Sequence, residues 1–293
     1  DRHAAWWFNG GFDETYNIGK RGLEPAHEVI PVALDWLDRK RDTKDWFLHV
    51  HVWDPHIPYR TPTEYGEPFK DAPLPDPWMT QEILDKHRAT KPGGHSACEV
   101  TGYDNKPNPA TPRQPVEIKN TDDFRHMIDE YDTGIWYADK QLGLLFDKLR
   151  AAMPDIALTT DIIVGFPGET YEEFCETLSL IREVEFTSLF TFIFSPRGGT
   201  PAASMPDPTP KEEKNRRFDK LCARQNAISE EIHNSYIGKT LRCLVDGKDK
   251  DLLTARTEGG RLVRFPGRDD MIGTYQDITI TAATTWSLSG KAA

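Results

Sequence analysis

Cysteine is scarce in this chain: four in 293 residues, at Cys98, Cys175, Cys222 and Cys243. No two of them stand at Cys-x-x-Cys or Cys-x-x-x-Cys-x-x-Cys spacing, so neither a zinc site nor an iron–sulfur ligand set can be read from them. They read as free thiols in a reducing, cytoplasmic compartment. Long apolar runs are also missing. The run at 189–194 is typical of the longest and far short of the ~20 residues that span a bilayer, so no membrane association is expected. There is no secretory leader and no Asn-x-Ser/Thr acceptor, and the first residue is Asp1 rather than Met, as in a processed chain or a piece of a longer one. Positive charge is in deficit, with 36 Lys and Arg against 47 Asp and Glu and a net charge of −11. That excludes a protein that coats nucleic acid over its whole surface. The deficit is uneven, because from Ile237 onward nine Lys and Arg stand against seven Asp and Glu. A small RNA-contacting module at that end is electrostatically allowed.

The length predicts about two domains. Val29, Ala33, Trp36 and Leu37 have helical spacing within 27–40. The apolar and aromatic run 46–52 reads as a buried strand. Between 58 and 119 lie eleven of the 22 prolines with little periodicity, which predicts a long irregular excursion. Ile128, Tyr131, Ile135, Leu142, Leu145 and Leu149 form one helical stripe across 122–150. The texture then changes. A β-branched strand at 156–164, a helix at 170–185 opened by Thr170 and Glu173 as a capping box, and a strand at 188–194 predict a parallel α/β unit. A long helix follows at 211–233. Short strands after Gly238, with turns at Gly259-Gly260 and Pro266-Gly267, predict a small β-barrel able to fold alone.

Two local constellations carry possible chemistry. In Trp53-Asp54-Pro55-His56, a proline-stiffened loop after the expected strand, His56 could donate to an anionic oxygen and Asp54 could orient it or meet a cation. A plain surface turn, with Asp54 capping amides and His56 solvated, accounts for the same residues. His49 and His51 share a strand face without a third ligand, and read as partly buried strand residues. In Gly165-Phe166-Pro167-Gly168-Glu169-Thr170, two glycines permit close backbone approach to a ligand, as they would in any strand-to-helix turn. Gly238-Lys239-Thr240 lacks the upstream glycine of a phosphate loop and is rejected as one.

The first half resembles the sulfatase family through Gly11-Phe12-Asp13-Glu14, the segment from Trp46 to Tyr59 around Trp53-Asp54-Pro55-His56, and the later Tyr131-Asp132-Thr133-Gly134 to Gly143. This resemblance implies a partial alkaline-phosphatase-like α/β sheet, calcium as cofactor, and sulfate binding by His56 with Asp54 beside it. The family's Cys-x-Pro-x-Arg nucleophile motif is absent, and most of its metal ligands are absent too. Sulfate-ester cleavage is therefore not expected.

The second half resembles the radical S-adenosylmethionine tRNA methylthiotransferases of the isopentenyl-adenosine branch. The resemblance runs through Met153-Pro154-Asp155, the Gly165 to Thr170 loop, Phe194-Ser195-Pro196-Arg197 and the closing Thr285-Trp286-Ser287-Leu288-Ser289-Gly290. It implies the last strands of a partial α/β barrel followed by a TRAM domain, a small all-β barrel that binds tRNA. By family position Gly165, Pro167, Gly168, Glu169, Ser195 and Arg197 lie at the S-adenosylmethionine site. Arg242, Arg256, Arg261 and Arg264 are candidate phosphate contacts, each equally readable as part of a solvated strand face. Trp286 fits a base-stacking role, although core packing is the ordinary fate of a tryptophan. The Cys-x-x-x-Cys-x-x-Cys holder of a 4Fe–4S cluster is not present.

The chain thus reads as a chimera of a sulfatase-like fragment at 1–148, an α/β-barrel fragment at 149–237 and a TRAM domain at 238–293, with its junction near 147–153. The leading expectation is tRNA binding without catalysis. One alternative is an enzyme fragment completed by a partner chain that supplies the missing parts. Another is a sulfatase-derived anion-binding module that uses His56.

Overall fold

A computed structural model describes residues 10–20, 24–72, 79–89, 100 and 107–293. Cys98 and parts of the proline-rich excursion lie outside them. The chain divides into two compact units, Asp1–Pro154 and Asp155–Ala293.

The first unit is helical. Helix α1 (Ala26–Lys40) buries Ile30, Ala33, Trp36 and Leu37 against Leu142, Leu145 and Leu149 of α3 (Thr121–Ala152). These residues recur every three or four positions, so one stripe of each helix meets the other. Asn120 caps α3 by accepting from the Asp123 amide at 2.9 Å. A shorter helix α2 (Gln81–Ala89) seats Leu84 with Ile118 and Phe124 in a second cluster.

The sheet expected in this half does not form among the described residues. Segment 46–53 runs without a strand partner. Leu48, Val50 and Val52 pack onto the α1–α3 core, but Phe47 is 74% exposed, and His49 and His51 are exposed with their rings stacked at 6.3 Å. The alternation of a half-buried strand is there, without a neighbouring strand to accept its backbone hydrogen bonds.

The second unit opens with a parallel pair, β1 (Thr159–Val164) and β2 (Ser188–Ile193), joined by α4 (Tyr171–Val184). Thr170 and Glu173 form the capping box that starts α4. Helix α5 (Lys211–Asn234) completes the layer, and Val164, Phe174, Ile181, Leu221 and Ile228 make its core. Only one face of the two-stranded sheet is covered. On the other, Ile163, Phe190 and Phe192 are exposed by 59%, 62% and 52%.

Strands β3 (Thr240–Asp249), β4 (Leu252–Thr257), β5 (Leu262–Phe265), β6 (Tyr275–Ala283) and β7 (Leu288–Ala292) close a barrel in the order β3-β4-β5-β7-β6. Alternate residues point inward, so Cys243, Val245, Leu253, Ala255, Val263, Phe265, Ile278, Ile280 and Leu288 fill it. Gly290 is needed at the seam. A Cβ there would stand 2.5 Å from Ile278 Cγ2 and 2.7 Å from the Thr279 carbonyl oxygen.

Two buried side chains tie the barrel to the α/β layer before it. Buried Arg261 on its wall donates to the Thr187 carbonyl at 2.8 Å, and buried His233 near the end of α5 hydrogen-bonds the Thr284 carbonyl at 2.6 Å. Because that carbonyl can only accept, the proton sits on Nδ1 and leaves Nε2 buried without a hydrogen bond. Burial holds the ring's pKa below the ordinary histidine value. Arg261 adds repulsion, and the bond to Thr284 opposes both. The unfolded chain therefore binds a proton that the folded unit resists. Stability is full above the unfolded pKa of ~6.5 and declines as pH falls below it. Urea denaturation of His233→Gln should lack that part of the decline between pH 7.5 and 5.5. An identical decline in the variant would place the effect on other groups.

Candidate functional site

Asp54 and His56 belong to one loop but serve different contacts. The Asp54 carboxylate accepts from the Ala26 amide at 3.0 Å and thereby caps α1 from 28 residues away, where Pro25 provides no side-chain cap. Burial raises its pKa, and Arg60 is the leading influence that lowers it. The exposed His56 ring meets Trp53 edge-on at 5.1 Å, and its Nδ1 hydrogen-bonds the Ile57 carbonyl. The loop is seated on α3, where a Cβ on Gly134 would come within 2.9 Å of Pro55 Cβ. Nearby, the fully buried Tyr137 hydroxyl accepts from the His27 amide at 2.8 Å and bonds the His27 ring at 2.6 Å. Asp54 is therefore a structural residue here, and only His56 of the pair faces solvent.

The glycine–proline loop and the segment after β2 do come together. Both leave the C-terminal ends of neighbouring parallel strands, where open α/β sheets bind ligands. The Phe194 amide donates to the Val164 carbonyl at 2.8 Å, and Phe194 and Phe166 pack edge-on at 4.9 Å. The underside is pinned by α5. Lys214 donates to the Gly165 carbonyl at 2.7 Å, and Arg217 donates to the Glu169 carbonyl and carboxylate at 2.8 and 3.2 Å. Glu169 in turn accepts from the Gly165 amide at 2.8 Å. Both glycines are left-handed, with φ of 75° at Gly165 and 87° at Gly168. A Cβ at Gly165 would strike Lys214, whereas nothing lies within 4 Å of one at Gly168. Pro167 lies between them, half-buried, and Ser195 and Arg197 are exposed beside the loop. The Gly168 backbone and these two polar side chains are left open to a ligand.

Among the described residues, the cysteines do not fit an iron–sulfur cluster. Cys222 touches Thr191 Oγ1 at 3.8 Å, while Cys243 lies inside the barrel, where burial pushes its thiol up to about 11. Among the described residues, the one close group of potential metal ligands contains no cysteine. Asp54, committed to α1, does not fit a calcium shell of six to eight oxygens either.

On the barrel the four candidate arginines part company. Arg261 is buried on the side facing the α/β layer and is spent on Thr187. Arg256 pairs with Asp246 at 3.0 Å and Arg264 with Asp249 at 3.3 Å. Thr254 and Arg256 together hold the Asp246 carboxyl below its ordinary range. Arg242 is exposed, lies opposite Asp277 across the β3–β6 ladder, and stacks on the Tyr275 ring with its guanidinium carbon 4.2 Å from the centroid. Trp286 is 75% exposed, which overturns core packing as its role. It sits in the β6–β7 turn, where Thr284 accepts from the amides of Trp286 and Ser287. The residues missed from sequence are Tyr275 and the clamps Lys214 and Arg217. The i,i+3 spacing of the two clamps on one helix face was the available signal.

The sulfatase family model matches residues 5–158 and the TRAM domain model residues 234–293. Among curated proteins, the tRNA-2-methylthio-N(6)-dimethylallyladenosine synthase of Neisseria gonorrhoeae (strain NCCP11945) is 51% identical over 158 residues, 53% of this chain and 36% of the relative. The synthase of the same name from Bacillus subtilis (strain 168) is 44% identical over 180 residues, 60% of this chain and 34% of the relative. That of Acetivibrio thermocellus is 46% identical over 150 residues, 50% of this chain and 31% of the relative. The chain therefore spans about a third of the length of these relatives. No helix among the described residues is long and apolar enough to cross a membrane.

Proposed function

The chain belongs to the sulfatase family, by a match over more than half its length, and from that premise we propose that its working part nevertheless lies at the other end, where its TRAM domain binds tRNA. The observation that carries this reading is Arg242 stacked on exposed Tyr275, on a closed barrel within the TRAM match. A guanidinium placed over an aromatic ring offers a charge for phosphate beside a face for a base. Trp286 adds a second exposed ring. It stands beyond the far end of β6, at least eight residues or ~26 Å of strand from Tyr275, so the two rings meet different nucleotides of one RNA. Arg256 and Arg264 contribute less, because each already faces a carboxylate. Names of the relatives point to tRNA as the nucleic acid.

In this reading 1–148, 149–237 and 238–293 are three modules, the first of sulfatase ancestry and the other two of methylthiotransferase ancestry. Gly165, Pro167, Gly168, Glu169, Ser195 and Arg197 are the half of an S-adenosylmethionine site that these residues retain. S-adenosylmethionine, when bound there, supplies the methyl group or radical source of the family's chemistry. The chain's own loop would hold it through the Gly168 backbone and the exposed Ser195 and Arg197. Electron transfer to it would need a cluster held by another chain. The competing reading, anion binding at His56, loses its second residue once Asp54 is taken up by α1.

Titration of the whole chain with tRNA across salt concentrations tests the proposal. Binding should weaken with salt, with a log–log slope of roughly −2 to −3 for about three phosphate contacts. Arg242→Ala should reduce the slope by about one, and Trp286→Ala should cost about 1–3 kcal/mol of affinity without changing it. Salt-independent binding, or none, would refute the reading.

A further inference from the structure

We propose that Glu67, His126 and Glu130 form a binding site for a first-row divalent cation, with zinc the best match to the ligand set. The site is independent of the tRNA reading and uses none of the residues considered above.

Two of its ligands come from one helix. His126 and Glu130 are four residues apart on α3, so their side chains project from the same face. His126 Nε2 lies 4.0 Å from Glu130 Oε1. The third ligand comes from the loop after the short 3₁₀ turn Thr63–Tyr65, and its place is set by one residue. Buried Arg113 donates to the carbonyls of Thr61, Pro62, Thr63 and Gly66 at 2.8, 3.1, 3.3 and 2.8 Å, while its Nη1 bonds both oxygens of Glu130. That fork fastens the loop to α3 and presents Glu67 across from the His126–Glu130 pair. One ligand atom from each of the three residues lies within 4.8 Å of the others.

A second observation places free space at the same point. A cavity of about 430 Å³ is lined by Thr63, Gly66, Glu67, Arg113, His126 and Glu130. Tetrahedral zinc, with bonds of about 2.0–2.2 Å, needs ligand atoms roughly 3.4 Å apart. Glu67 and His126 are exposed and can close the remaining distance by side-chain rotation, while Glu130 stays fixed by Arg113. Three protein ligands and the open cavity leave a fourth position for water.

The neighbourhood is net negative only when its outer carboxylates are included. Glu130 pairs with Arg113 and Glu67 with Lys70 at 3.7 Å, and His126 binds as the neutral ring. Asp71 and Asp129 are close enough for their fields to be felt in the same group, with Lys70 and Arg125 as the nearest counter-charges. Two carboxylates and one imidazole suit zinc better than magnesium or calcium, which take oxygen alone.

The test is calorimetric titration of the chelator-treated whole chain with zinc at pH 7, alongside thermal melts with and without the metal. One saturable site should appear, and zinc should raise the melting temperature. Glu67→Gln and His126→Ala should each weaken binding roughly tenfold or more while leaving the metal-free melt in place, since both side chains are exposed. His126→Gln serves if the alanine variant misfolds. His49→Ala should bind as the parent does. No saturable binding overturns the proposal. So does binding that survives both ligand substitutions, or binding that is lost in His49→Ala, because the metal would then sit on the exposed histidines near Trp53.

Discussion

Arg113→Ala should cost the first unit about 3–5 kcal/mol, the usual effect of removing one partner from a buried ion pair. The cost has two sources. Glu130, with 3% of its side chain exposed, is left buried without a counter-charge in contact. Four loop carbonyls also lose the donor that gathers them. Burial already pushes the Glu130 carboxyl up, and Arg113 is the main influence holding it down. Without the arginine the carboxyl takes up a proton. Its folded pKa then lies further above the unfolded value, so the variant should lose stability as pH rises through that pKa and regain part of it in acid. Arg113→Lys keeps the charge but not the planar fork, and should recover only part of the loss. Urea unfolding followed by tryptophan fluorescence reads this directly, because Trp36, Trp46, Trp53 and Trp136 all report on this unit. A loss under about 1 kcal/mol would mean that the pair is solvated in practice.

Arg217→Ala should damage the second unit by about 3 kcal/mol or more, for the same physical reason at a different place. The guanidinium is buried and donates to Glu169, to the Thr170 carbonyl at 3.1 Å and to Glu213 at 3.3 Å. It also lies 5.9 Å from the centroids of Tyr171 and Phe174. Its loss frees Glu169, the acceptor for the Gly165 amide. The expected signature is local as well as global. Hydrogen exchange in 165–170 should accelerate more than in the barrel strands. Equal acceleration everywhere, or none in the loop, would show that Arg217 does not hold the turn.

Much of the second unit was legible because its signals are local. Thr170 with Glu173 declared a helix start, and the turn signals at Gly259-Gly260 and Pro266-Gly267 marked off short barrel strands. Both are satisfied by neighbours within this chain. The run 46–52 misled for the opposite reason. Its alternation of Leu48, Val50 and Val52 is that of a strand, but alternation does not say whether a pairing partner exists. For Asp54 the sequence offered amide capping as one reading but not the partner, since Ala26 is 28 residues away. Trp286 was drawn toward the core by its size, and the tight Thr284–Ser287 turn holds it outside. The arginines of the barrel looked equivalent in sequence. Only the fold shows that Arg256 and Arg264 pair with carboxylates, that Arg261 is buried on Thr187, and that Arg242 lies over a ring.

The bare side of the β1–β2 sheet has a consequence for the life of the molecule in a cell. Ile163, Phe190 and Phe192 form a water-facing greasy stripe on a pair of strands with open edges, the kind of surface to which holdase chaperones cling and on which like chains coalesce. Self-association through that stripe is expected to set a ceiling on the protein's working concentration, however tightly its barrel folds.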